Sequence, residues 1–182
     1  MARPSSFAAT GPTSFSMTTV PQEPGLSIVE ATADGLRAML PSRAAVLDRL
    51  GELLPGSAAR PVSLLIVGLR RRDDGWPIPP AALDEVTTRL AGGLRADDWL
   101  ARCGPTEFVV LVDGPPTVAE GAATRLVDSI GTEQIRHMTA AAGVATLAPD
   151  LSAEEVLRRA MVSLSTARSL GAGRVITYRG TR

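Results

Sequence analysis

Between Pro61 and Arg70 the chain reads Val62-Ser-Leu-Leu-Ile-Val-Gly68, a short apolar run rich in β-formers, with the breaker Gly56-Ser-Ala-Ala-Arg-Pro61 before it and charge after it. A run with so little polar alternation suits a strand covered on both faces, and such a strand is central in its sheet. The fold therefore needs helices to cover that sheet.

The flanking sequence supplies them. Pro41-Ser42 followed by Arg43 to Leu50 reads as an N-capped amphipathic helix, apolar at Val46, Leu47 and Leu50. Arg70 to Pro80 reads as a charged, Pro-bearing loop. Ala81 to Leu94 repeats Leu83, Val86, Leu90 and Leu94 at spacings of three and four, which predicts a core-facing helix. Trp99 to Cys103 and Glu107 to Val112 are two short strands, with Gly104-Pro-Thr106 as the hairpin turn between them. A helix over Thr117 to Ile130 and an Ala/Val strand over Met138 to Thr146 follow. Ser152-Ala-Glu-Glu155 is a capping box that opens a helix carrying Val156, Leu157, Ala160, Leu164 and Ala167, which Gly171 ends. Arg174 to Tyr178 is the closing strand. The expected fold is α+β, one mainly antiparallel sheet flanked by helices. Residues 1–25, rich in Pro, Ser, Thr and Gly without periodicity, read as a disordered tail, and 26–182 as the folded domain, opening with a short strand or helical lead-in. Met17 is an alternative start to Met1.

Composition narrows the chemistry. The 182 residues hold 19 basic and 19 acidic side chains, a formal net charge of zero, which argues against a broad basic field for nucleic-acid polymers. All the basic residues are Arg, so no lysine amine is present for Schiff-base chemistry. Cys103 and His137 are the sole residues of their types, which excludes an internal disulfide and a Cys/His zinc site. His137 reads as an ordinary surface or strand-end histidine. No apolar run has the length of a membrane span, and the N-terminus lacks a signal-peptide pattern, so the expected setting is cytoplasmic.

Four fragments, in order, carry a family resemblance. They are Leu40-Pro-Ser-Arg43, Leu94-Arg-Ala-Asp-Asp-Trp-Leu-Ala-Arg-Cys-Gly-Pro-Thr-Glu-Phe108, Ala141-Ala-Gly-Val-Ala145 and Leu157-Arg-Arg-Ala-Met-Val-Ser-Leu-Ser-Thr-Ala-Arg168. The chain from about Leu36 to Tyr178 resembles the GGDEF domain of diguanylate cyclases, which condense two GTP molecules into cyclic di-GMP, one nucleotide per domain of a dimer. The resemblance implies phosphoryl transfer governed by metal-held positioning.

Against the family's pattern the signature is degenerate. It reads Gly104-Pro105-Thr106-Glu107-Phe108. Gly68 stands where the family's first strand ends in a metal-binding carboxylate, and Arg70 to Arg72 add positive charge where cations would sit. Thr106 replaces the acidic third residue that would assist deprotonation of the attacking hydroxyl. Pro105 adds a ring and deletes an amide donor. Glu107 remains, and by itself reads as a solvated or salt-bridged carboxylate. The guanine-binding loop is short here, over Asp73 to Pro80. Arg168 takes the position of the family's phosphate lysine. The expectation is a protein with no cyclase activity, no resident cofactor and no metal.

The family's inhibitory product site is an Arg-x-x-Asp motif, and Arg95-Ala-Asp-Asp98 stands nine residues before Gly104, as the family has it. The resemblance implies a cyclic di-GMP site at Arg95 and Asp98, joined by Arg125, offset by about one residue from the family's second Arg, and by Arg102 as a neighbour. Guanidinium forks suit phosphate or the guanine O6/N7 edge, and a carboxylate suits N1 and N2. The same string also fits a surface ion pair. Three roles stay open on these residues: a non-catalytic cyclic di-GMP receptor acting through an unidentified partner and forming a homodimer, a nucleotide-independent interaction module, and a residual GTP-binding or cyclase enzyme.

Overall fold

A computed structural model describes residues 38–72, 77–131, 135 and 137–180. The expected tail over 1–25, the lead-in before residue 38 and most of the charged loop, 73–76, lie outside the described residues. In chain order the elements are α1 (Arg43–Leu53), a 3-10 turn (Leu54–Gly56), β1 (Val62–Arg71), α2 (Pro80–Gly92), β2 (Trp99–Arg102), β3 (Glu107–Asp113), α3 (Pro116–Ile130), β4 (Met138–Thr146), α4 (Ala153–Leu170) and β5 (Val175–Thr177).

The apolar run is the central strand. Sheet order is β2-β3-β1-β4-β5, antiparallel at every pairing except the parallel β4–β5 edge. Alternate β1 residues divide the core in two. Leu65, Val67 and Leu69 pack with Val86, Leu90, Leu126 and Ile130 of α2 and α3. Leu64 and Ile66 face Val46 and Leu50 of α1 and Val156, Leu157 and Leu164 of α4. The expected α+β architecture is therefore what forms, and the lack of polar alternation has its cause in two helical covers.

Some boundaries differ from expectation. Arg70 and Arg71 belong to β1 rather than to the loop, because β4 is long enough to pair with them through Thr139 and Met138. Ser42 sits at the N-cap of α1 without a side-chain hydrogen bond. Leu94 falls just past α2, and Cys103 lies in the bend after β2. The capping box at α4 is half made. Ser152 Oγ accepts from the Glu155 amide at 3.2 Å, while the Glu155 carboxylate turns along the helix to Arg158 and Arg159 at 2.6 and 2.7 Å. Those two guanidinium groups hold the Glu155 carboxyl well below the usual carboxylate range, at about 2. Arg159 also stacks 5.1 Å from the Tyr178 ring, tying α4 to the residue after β5.

One glycine sets how closely α4 lies on the sheet. A Cβ on Gly143 of β4 would stand 2.2 Å from the Ala160 carbonyl oxygen and 2.3 Å from the Leu164 amide nitrogen. Both are backbone atoms of a helix, which cannot swing aside as a side-chain tip can. Gly143 pairs with Ile66 of β1, so the contact falls over the middle of the sheet.

Gly143→Ala is expected to cost about 1–3 kcal/mol by overpacking, read as a lowered thermal midpoint, whereas Gly92→Ala at the end of α2, where an added Cβ meets nothing within 4 Å, leaves the midpoint unchanged or raises it. The Glu155 carboxyl titrates lower folded than unfolded, so its contribution to stability is present at neutral pH and fades as pH falls from about 4.5 towards about 2. Wild type minus Glu155→Gln in thermal midpoint is then positive at pH 7 and shrinks to nothing over that window.

Candidate functional site

The hairpin signature meets the sheet at Gly68. In register, Gly68 lies directly opposite Glu107 of β3 on one side and Ala141 of β4 on the other. Past this point β3 stops, and the Leu69 amide donates instead to the Thr106 carbonyl at 3.0 Å. Gly68 and Glu107 point to the face covered by α4. The helix touches Gly143 at Leu164, and one turn further on Arg168 follows the buried Ala167 over the sheet.

Arg168 fills the space a side chain on Gly68 would need. A Cβ built there falls 2.4 Å from Arg168 Nη2. That nitrogen donates to Glu107 Oε1 at 2.8 Å, with a longer 3.4 Å contact to the Leu69 carbonyl. Thr106 holds the same carboxylate from the hairpin, its hydroxyl donating to Oε1 at 3.0 Å and its amide standing 3.4 Å from Oε2. Glu107 folds so tightly over the turn that a Cβ on Gly104 would meet Oε2 at 2.4 Å. Of the two readings open for Glu107 from sequence, the salt-bridged one is what the structure shows, with 15% of the Glu107 side chain and 32% of the Arg168 side chain exposed.

These residues do not fit a divalent cation. One oxygen of the carboxylate already takes two donors, a guanidinium occupies the neighbouring position, and Gly68 offers no ligand. Among the described residues, no three His, Cys, Asp or Glu side chains cluster to hold a metal ion. Thr106 suits this arrangement as a donor, because an acid there would set a second negative charge against Glu107. Pro105 is exposed at the tip of the hairpin.

The other predicted residues separate into three places. Arg95 is exposed in the turn between α2 and β2, and its main-chain amide donates to Asp98 Oδ2 at 2.8 Å, while the Asp98 amide donates to the Arg95 carbonyl at 3.1 Å. Asp98 is thus held by the backbone of Arg95. No ion pair forms between the two side chains, and among the described residues the Arg95 guanidinium pairs with no carboxylate. Arg102 does not join them. It ends β2, donates its amide to Pro41 at 2.8 Å, and lines a separate cleft with Leu40, Arg43, Cys103 and Gly104. It lies three residues along an edge strand from Trp99, roughly 10 Å. Arg125 is exposed on α3, one residue before the buried Leu126, whose Cδ2 lies 2.9 Å from where a Cβ on Gly93 would be. Arg125 therefore stands near the end of α2 from which the Arg95 turn departs.

Arg43 of the Leu-Pro-Ser-Arg fragment has a role the sequence left unassigned. Burial pushes the Cys103 thiol up, and the positive charge of Arg43, which lines the same cleft, draws it partly back down. His137 is exposed immediately before β4 with φ +60°, and its carbonyl accepts from the Arg72 amide at 2.9 Å. Trp99 is a half-buried anchor on the α1–α4 face. No helix among the described residues is long and apolar enough to cross a membrane.

The fold is that of a GGDEF domain. No protein-family model matches the chain, and no curated protein matches it. Solved structures do. The GGDEF domain of YfiN from Pseudomonas aeruginosa is 22% identical, with a TM-score of 0.67 over 79% of this chain and 92% of that one. The coiled coil and GGDEF domain of DgcB from Caulobacter crescentus, in complex with c-di-GMP, is 20% identical, with a TM-score of 0.68 over 81% and 85%. The active GGEEF domain of a diguanylate cyclase from Vibrio cholerae is 18% identical, with a TM-score of 0.67 over 78% and 99%. Identity at this level establishes the fold.

Proposed function

We propose that the chain is a non-catalytic GGDEF-like signalling module that takes cyclic di-GMP at the Arg95–Asp98 turn. The observation that carries the non-catalytic half is the Arg168–Glu107 bond over Gly68: the carboxylate that would hold a cation is committed to a guanidinium, and its expected partner carboxylate is absent. The receptor half rests on the turn itself. Backbone capture of Asp98 fixes one carboxylate oxygen and leaves the other for a donor edge, beside an exposed guanidinium that pairs with no carboxylate among the described residues. A planar fork and an acceptor three residues apart suit the phosphate and the N1/N2 edge of a guanine dinucleotide. Arg125 lies within α3, beside the Leu126 that packs on Gly93 and with its guanidinium near Gly121, and Arg102 is left out of the site. That a solved neighbour is a complex with c-di-GMP supports the choice of ligand.

Calorimetric titration with cyclic di-GMP checks this reading. Binding is expected in the wild type, to fall at least about ten-fold in Arg95→Ala by loss of a charged hydrogen-bond pair, and to persist in Arg102→Ala. Absence of binding by the wild type removes the receptor role and leaves an interaction module. Incubation with GTP and magnesium is expected to give no dinucleotide, and product formation would overturn the non-catalytic reading.

A further inference from the structure

The two edges of the sheet are finished differently. At the β2 edge the Arg102 amide is already taken by the Pro41 carbonyl at 2.8 Å, so the chain ahead of α1 covers that edge there. At the β5 edge no such cover exists among the described residues. β5 runs parallel to β4 with Ile176 opposite Gly143, and the Arg174 carbonyl and the Tyr178 amide both bond β4, each at 2.8 Å. In a parallel ladder alternate residues turn their main-chain groups to one neighbour, so Arg174, Ile176 and Tyr178 serve β4 while Val175 and Thr177 present amide and carbonyl outwards. No hydrogen bond from a described residue meets those outward groups. The strand also lacks the devices that blunt an edge, since Val175-Ile-Thr177 carries no charge, proline or bulge. Its side chains are half-buried, and a groove of about 510 Å³ runs beside it, lined by Glu120 and Thr124 of α3 with Val175, Thr177 and Arg179.

We infer that this edge pairs with the same edge of a second copy of the chain, β5 against β5 across a two-fold axis at Ile176. Two-fold symmetry makes such a pair antiparallel. Val175 of one copy then lies opposite the partner's Thr177 and exchanges both main-chain bonds with it, while Thr177 does the same with the partner's Val175. The outward groups of both copies are satisfied together. Ile176 meets the partner's Ile176 in the closer, non-bonded kind of pairing, and β-branched residues facing one another are a favourable cross-strand combination. Charge permits the approach. The chain carries zero formal net charge, so its copies do not repel at long range. The axis also keeps the flanking guanidinium groups from their own mates, because Arg174 falls opposite the partner's Tyr178 and Arg179 lies beyond the paired stretch. Thr177 is held from within, its hydroxyl donating to Glu120 Oε1 at 2.6 Å and leaving the amide to face outwards. A strand of three residues falls short of the roughly 1,000 Å² of a durable interface, so the dimer is weak and concentration-dependent. It involves neither the Arg95 turn nor the hairpin, and is independent of whether cyclic di-GMP binds.

Sedimentation equilibrium of the intact protein over rising concentration, under reducing conditions, tests the association, with thermal melts to establish that each variant is folded. A monomer–dimer equilibrium is expected. Thr177→Pro removes the outward amide, and with it half of the new bonds, while sparing the β4 ladder, and it weakens dimerisation at least about ten-fold. Thr177→Val keeps the amide and loses only the hydroxyl, and it leaves dimerisation unchanged, as does Arg95→Ala. A cysteine trap tests the register without a proline. In a Cys103→Ser background, Ile176→Cys brings two thiols together across the axis, where the Cα atoms stand about 4.5 Å apart, and mild oxidation is expected to give a covalent dimer. Val175→Cys in the same background is offset along the strands from its mate and is expected to stay largely uncrosslinked. A monomer at every concentration, a dimer indifferent to Thr177→Pro, or equal crosslinking of the two cysteines overturns the inference. The first of these outcomes would leave the edge to a strand from a different protein.

Discussion

The approach of α4 to β4 at Gly143 is the constraint from which the rest of the site follows. Without a Cβ there, the backbone of Ala160 and Leu164 rests on the sheet itself. The helix runs antiparallel to β4, so one turn beyond that contact it reaches the level of Ala141 and its partner Gly68. Arg168 consequently lies over Gly68 and meets Glu107. Three glycines, at 68, 104 and 143, each leave a space that another group takes: a guanidinium, a carboxylate and a helix backbone. Small residues here are the condition for close approach, and only secondarily a matter of flexibility.

The electrostatics at the hairpin are internally consistent. A half-buried carboxylate must be compensated, and Glu107 is compensated by one charged and one hydroxyl donor from its own chain. An acid at position 106 or 68 would turn that balance into repulsion or displace Arg168 unless a cation entered. The chain has a threonine and a glycine instead, and it adds arginines at the mouth. The GGDEF-like fold forms while the carboxylate at its hairpin is paired with a guanidinium. Fold and chemistry are separable because the sheet and its covers depend on β1 and Gly143, and none of the charged residues contributes to those cores.

Much of this was legible in the sequence. The unalternating run Val62 to Gly68 marked the central strand, helical spacing at Val86 and Leu90 marked a cover, and the four fragments in order marked the fold. The separation of Gly68 from a carboxylate role was also visible in one dimension. The Arg168–Glu107 bond was not, since it joins residues 61 apart and depends on a register and a helix height that no local pattern encodes. Position in the frame grouped Arg102 with Arg95 and Asp98, yet four residues of edge strand carry it to another cleft. The extension of β1 through Arg71 escaped reading because charged residues look like loop until a partner strand of matching length is known. Likewise Glu155 satisfied the capping-box spacing, but two arginines on its own helix offered stronger partners than a backbone amide.

The central claim is that the hairpin carboxylate is closed to cations by Arg168. Manganese titrated into the isotope-labelled protein, free of nucleotide, tests it most directly, because a bound paramagnetic ion broadens the amide signals nearest to it. The account predicts no selective broadening of Gly104, Glu107 or Leu69 at stoichiometric manganese. Selective loss of those three signals, reversed by EDTA, would contradict it.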